Sequence, residues 1–167
     1  MTFINSPYNF GGFHNTTTNT QSFSFDGTGD FLERADDSNW DFITGAGGDP
    51  DEKFSIAFWI KRDSGTHGDS ILAKYATNQQ SYRLFWSSST LILDTYQAGT
   101  SGYKRRLKTG LSSTAWQHFV LAYDGTLNGW KIYINGTLQT GTGTGGSGGE
   151  MIDTTSSVMI GLSLIHI

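Results

Sequence analysis

The sequence predicts an all-β chain, two antiparallel sheets packed face to face with almost no helix. Two observations carry this reading. Glycine makes up 22 of the 167 residues and charged residues only 16%, against about 7% and about 25% in average proteins, and the Gly, Ser and Thr fall between aromatic and β-branched clusters as turns fall between short strands. The clusters alternate in polarity or are apolar throughout, and helical periodicity is sustained nowhere. Aromatic residues at 14% exclude the composition of a disordered chain, and a chain of this length hides roughly 70% of its unfolded surface in one domain.

Residues 1–22 are rich in Asn, Thr and Gly, with Asn15-Thr16-Thr17-Thr18-Asn19-Thr20 among them, and read as a lead-in or linker. Strand signals follow at Phe23-Ser24-Phe25, Phe31-Leu32-Glu33, 54–61, 70–75, 82–86, 90–94, 103–107, 116–123 and 130–134. In 54–61 the residues Phe54, Ile56, Phe58 and Ile60 share one face, because side chains alternate along a strand, so that face belongs to the core. The segment 116–123 is apolar on both faces, as a central strand with neither face freely solvated would be. Asp26-Gly27, Asp124-Gly125 and Asn135-Gly136 accept positive φ, and the last pair predicts a two-residue hairpin between 131–134 and 137–140. The Thr-Gly-rich stretch 140–149 reads as a mobile surface loop; no P-loop lysine or helix follows it.

Several function classes are disfavoured at once. The absence of cysteine removes disulfides, zinc-cysteine sites and thiol nucleophiles. A net charge of −4 lacks the basic footprint of a nucleic-acid binder. No apolar run reaches the ~18 residues of a spanning helix, so membrane insertion is not expected, and Met1-Thr2-Phe3-Ile4-Asn5 has neither half of a signal peptide.

The order of segments resembles the laminin-G-like jelly rolls of the concanavalin A-like lectin/glucanase superfamily. The matching pieces are Phe23-Ser24-Phe25-Asp26-Gly27-Thr28-Gly29-Asp30-Phe31-Leu32, Phe54-Ser55-Ile56-Ala57-Phe58-Trp59-Ile60, Ile71-Leu72-Ala73-Lys74, Trp116-Gln117-His118-Phe119-Val120-Leu121-Ala122-Tyr123-Asp124-Gly125 and Ile132-Tyr133-Ile134-Asn135-Gly136. The resemblance implies a two-sheet jelly-roll domain over 23–161, and its style is closest to copies in phage tail and other virion proteins. It also implies a further strand after Val158-Met159-Ile160-Gly161, paired beside the first. The segment Leu162-Ser163-Leu164-Ile165-His166-Ile167 resembles a translated sequencing-adapter end, so the expectation is a truncated environmental gene lacking its native final strand, against the alternative that this alternating segment is that strand.

A glycosidase of this superfamily needs two carboxylates on one face. Glu33, Glu52 and Glu150 are scattered, Glu150 and Asp153 fall on opposite faces, and Asp49-Pro50-Asp51 reads as a loop. Of His14, His67, His118 and His166, only His118 lies in a strong strand, where a partly buried structural ring is expected, and no Gly-x-Ser-x-Gly elbow exists. If a metal binds, calcium suits the hard oxygen donors, with Asp49, Asp51 and Glu52 or Asp36, Asp37 and Asp41 as its ligand sets. Solvated acidic loops are the commoner outcome.

Trp86, Tyr96, Tyr103 and Trp130 are the candidates for stacking on a sugar, because each lies at a strand end or beside a Gly/Ser-rich loop. Ordinary packing is the alternative for each. Lys104-Arg105-Arg106-Leu107-Lys108 is the one basic cluster, expected to blunt a sheet edge or else to meet an anionic glycan. The function expected is a non-enzymatic carbohydrate- or protein-binding structural module, in a virion or outside the cell, whose partner is a cell-surface glycan or a neighbouring virion protein. A bacterial carbohydrate-binding adhesin domain is the alternative, and a glucanase the third reading.

Overall fold

In the computed structural model, the described residues are 22–25, 29–42, 53–63, 70–77, 79–96, 102–124, 129–145 and 151–161. They contain eleven strands: β1 (Leu32–Arg34), β2 (Phe54–Ile60), β3 (Ser70–Ala76), β4 (Gln79–Ser87), β5 (Thr90–Tyr96), β6 (Tyr103–Lys108), β7 (Gln117–Tyr123), β8 (Trp130–Ile134), β9 (Thr137–Gln139), β10 (Thr142–Gly145) and β11 (Val158–Ile160). One 3-10 turn (Ser38–Trp40) is the only helical element among the described residues. Every pairing is antiparallel, in a seven-stranded sheet ordered β1-β11-β3-β4-β5-β6-β10 and a four-stranded sheet ordered β2-β7-β8-β9. The predicted all-β sandwich is therefore the observed fold. No helix among the described residues is long and apolar enough to cross a membrane.

The core lies between the sheets and follows the strand parity. Phe54 is buried and Ile56, Phe58 and Ile60 half-buried on one face of β2, while Ser55, Ala57 and Trp59 on the other are exposed. From β7 and β8 come Phe119, Leu121, Tyr123, Trp130, Ile132 and Ile134, which meet Leu72, Tyr82, Leu84, Trp86, Leu91 and Leu93 of the larger sheet. Trp86 contacts Phe119 edge to face across the gap, with ring centroids 5.9 Å apart. Strand β7 is central as predicted, with its outer face half-covered at His118, Val120 and Ala122. Trp116 precedes the strand and is exposed, because the ladder with β2 begins at Gln117. The hairpin at Asn135-Gly136 forms as the sequence indicates, with both residues in the left-handed region at φ 50° and 79°.

Several expectations are corrected. Phe23-Ser24-Phe25 forms no strand; Phe23 is exposed, and Phe25 is close enough to Gly161 that a Cβ there would strike its ring. Part of the expected 140–149 loop is strand β10, an edge strand on β6. Thr142 and Thr144 are β-branched, and Gly141 permits the close approach, since a Cβ there would lie 2.9 Å from the Leu107 carbonyl oxygen. Strand β6 is consequently interior, and its basic cluster blunts no edge: Lys104 is buried and Arg105 is ion-paired. Strand β11 pairs with both β1 and β3, and among the described residues β1 stands at the edge of the sheet. All of the lead-in 1–22 but its last residue, and the tail 162–167, lie outside the described residues.

Candidate functional site

The outer face of the seven-stranded sheet, turned away from the core, carries a chemistry unlike a solvated strand face. Register fixes its composition: Ala73 opposes Arg83, Arg83 opposes Asp94, and Asp94 opposes Arg105, while Tyr96 opposes Tyr103. Cross-strand partners share a face, so four neighbouring strands deliver Tyr75, Arg83, Phe85, Asp94, Tyr96, Tyr103 and Arg105 to one surface.

The tyrosines form a row. Tyr75 and Tyr96 have ring centroids 5.5 Å apart and Tyr96 and Tyr103 5.9 Å, tilted by 60° and 58°. All three are half-buried. Gln80 Nε2 donates to the Tyr75 hydroxyl at 3.0 Å, which anchors one end. Burial pushes the Tyr96 hydroxyl well above the usual phenol range; the Arg83 charge opposes that shift, and Asp94 and Tyr75 reinforce it. The central ring of the row therefore stays neutral and hydrogen-bonding at any physiological pH.

Charges lie beneath and beside the rings. Asp94 is fully buried, and Arg105 donates to both its oxygens, Nε to Oδ1 at 2.6 Å and an Nη to Oδ2 at 2.7 Å. That bidentate hydrogen bond raises the Arg105 pKa further, against the effect of burial. The Arg105 guanidinium also lies 4.5 Å from the Tyr103 ring centroid. Arg83 lies over Phe85 at 3.9 Å and over Tyr75 at 4.8 Å, with its Nη2 4.0 Å from Asp94 Oδ2.

Of the four predicted stacking residues, the structure brings together Tyr96 and Tyr103 and separates both from Trp86 and Trp130. The two tryptophans are 3% and 2% exposed, inside the sandwich. Arg62 covers the Trp86 ring at 3.8 Å, Tyr123 stacks on Trp130 at 4.0 Å, and Phe54 meets Trp130 edge-on at 5.5 Å. Both are packing residues, because a strand end in a sandwich points into the core on every second residue. Sequence reading passed over Tyr75, Arg83 and Asp94 and named Arg105 only as part of the basic cluster, although charges inside strand segments signal that partners must exist. It also missed the exposed Trp59, stacked on His118 at 5.0 Å on the outer face of the smaller sheet.

The acidic candidates are engaged elsewhere. Asp36, at 2.7 Å, and Asp41 both pair with the buried Lys74 ammonium, and Asp37 caps the 3-10 turn through Asn39 N–H while pairing with Arg34. A lysine thus takes the place proposed for calcium at Asp36, Asp37 and Asp41, and no metal-binding group of three or more His, Cys, Asp or Glu occurs among the described residues. Asp49, Asp51, Glu52, Glu150, His14, His67 and His166 lie outside the described residues. Glu33 shares the outer face with Asp94 but four strand spacings away, about 19 Å at ~4.8 Å per spacing. Paired glycosidase carboxylates stand about 5–10 Å apart.

The family model described as the concanavalin A-like lectin/glucanases superfamily matches residues 43–163, well over half of the chain. The chain belongs to that superfamily. No curated protein sequence matches it. Among solved structures, this concanavalin A-like domain is similar to the binding domain of Paraclostridial Mosquitocidal Protein 1, at 14% identity and TM-score 0.55, over 80% of this chain and 33% of the other. It is also similar to a mutant of HCR/D, at 16% and 0.57, over 84% and 34%. A third is the receptor binding domain of botulinum neurotoxin mosaic serotype C/D, at 18% and 0.52, over 82% and 36%. The likeness is one of fold, and the chain spans about a third of each matched structure.

Proposed function

We propose that this concanavalin A-like domain is a non-enzymatic binding module whose seven-stranded outer face takes a cell-surface glycan. The observation that carries the reading is the Tyr75-Tyr96-Tyr103 row. Successive tilted rings offer a sugar chain apolar faces, and their hydroxyls, with the guanidinium groups beside them, offer hydrogen bonds. Two fold relatives support it in kind, one being named a binding domain and the other a receptor binding domain. Among the described carboxylates, Glu33 and Asp94 stand ~19 Å apart, and Asp36 and Asp41, which do lie close, are both tied to the Lys74 ammonium; this favours binding over hydrolysis. The setting we propose is a phage virion displaying this face toward a host surface; an extracellular bacterial adhesin uses the same face in the same way, and neighbouring genes decide between them.

A glycan array followed by calorimetry on the strongest ligand tests the reading. Tyr96→Ala and Tyr103→Ala are each expected to weaken binding about tenfold, with the thermal midpoint little changed. Glycan binding that survives both substitutions together places the site elsewhere.

A further inference from the structure

The outer face holds one more positive charge than it neutralises. Asp94 commits both oxygens to Arg105. Arg83, the second guanidinium, is 4.0 Å from the same carboxylate, beyond hydrogen-bond distance, and its Nε is buried with no hydrogen-bond partner. Its position is nonetheless fixed, since its plane rests on Phe85 and against Tyr75. A guanidinium held by stacking, with donors unspent, is preorganised for a planar anion that receives two parallel N–H bonds, which is the geometry of a carboxylate. The tyrosine row runs beside it: Arg83 lies over Tyr75, and Tyr75 is next to Tyr96. A sugar ring stacked there places a ring carboxyl within reach of Arg83, whose side chain keeps 13% of its surface exposed.

We infer that the glycan carries carboxylate-bearing sugars and that Arg83 is the residue that receives the carboxylate. This rests on the binding reading above and adds the ligand's chemical class. Asp94 keeps Arg105 when Arg83 is replaced, so Arg83→Gln leaves the buried carboxylate compensated and the fold intact.

The test uses the full chain against oligogalacturonates, alginate oligosaccharides and sialylated oligosaccharides, each beside its neutral partner, the methyl ester or the desialylated form, with sulfated oligosaccharides as a further arm. The acid form of the best ligand is expected to bind at least tenfold more tightly than its neutral partner. Arg83→Gln is expected to bring that ratio near one while tyrosine-dependent binding of the neutral form persists. Arg83→Lys, which keeps the charge and loses the fork, retains only part of the ratio. Lys131→Gln, on an exposed lysine of β8, leaves it unchanged. Equal binding of acid and neutral forms, with tyrosine dependence intact, overturns the inference and spares the platform. Preference for sulfate esters over carboxylates also overturns it, as does an acid preference that Arg83→Gln leaves unaltered. No binding by any member of the panel overturns both readings.

Discussion

Lys74 and Asp41 form a buried ion pair, the lysine on β3 with none of its side chain exposed and the aspartate just after the 3-10 turn, its carboxylate accepting from the ammonium. Asp36 pairs with the same ammonium at 2.7 Å. The contact ties the segment after β1 to the core-facing side of β3, and Phe42 at the end of that segment stacks on Phe54 of the smaller sheet with centroids 4.4 Å apart. A lysine taken from water without these partners would be strongly destabilising.

Removing one partner leaves the other charge uncompensated. Lys74→Met is expected to cost about 3 kcal/mol or more, and adding Asp41→Leu to it to recover part of that. Urea unfolding of the three proteins checks both statements.

The same cluster has a pH signature. Burial works to lower the Lys74 pKa, but hydrogen bonds to Asp36 and Asp41 and their charges outweigh it, and the net shift is upward. A pKa raised on folding stabilises fully below the ordinary lysine value of 10.5 and is lost as pH rises through the folded value. The stability difference between the wild type and Lys74→Met should therefore stay level from neutral pH to about 10 and shrink above that. A difference that grows with alkalinity contradicts the pairing.

Trp86 and Trp130 are core residues, so Trp86→Ala and Trp130→Ala should each cost about 3–5 kcal/mol. Glycan affinity of the fraction still folded should be unchanged. Loss of affinity with stability retained would make them ligand residues after all.

At the β8–β9 hairpin, Gly136 has a φ of 79°, and no atom lies within 4 Å of the point a Cβ would occupy. Gly136→Val should therefore lose about 1–2 kcal/mol from backbone conformation alone, read as a lower thermal midpoint with the sheet signal in circular dichroism preserved.

Incubation with a panel of β-glucans should release no reducing ends, because Glu33 and Asp94 stand too far apart, Asp94 is locked to Arg105, and Asp36 and Asp41 are both tied to the Lys74 ammonium. Hydrolysis abolished by Glu33→Gln would show that a second carboxylate lies within reach of it.

By itself the sequence determined the fold class, the core face of β2, the central place of β7 and the hairpin at Asn135-Gly136. These depend on local periodicity and on turn residues that tolerate positive φ, both of which are written in consecutive residues. The candidate site was only half legible. Tyr96 and Tyr103 stood out as aromatics beside loops, yet so did Trp86 and Trp130, and one residue of parity at the end of a strand decides whether a ring enters the core or leaves it. Only the tertiary structure set Tyr75, Arg83, Asp94 and Arg105 on one face, because their adjacency arises from the register of β3 through β6. It also gave the carboxylates of Asp36 and Asp41 to Lys74, 33 residues from Asp41 in the chain. Acidic residues clustered in sequence show a charge that must be balanced; which cation balances it depends on the strand that folds beside them.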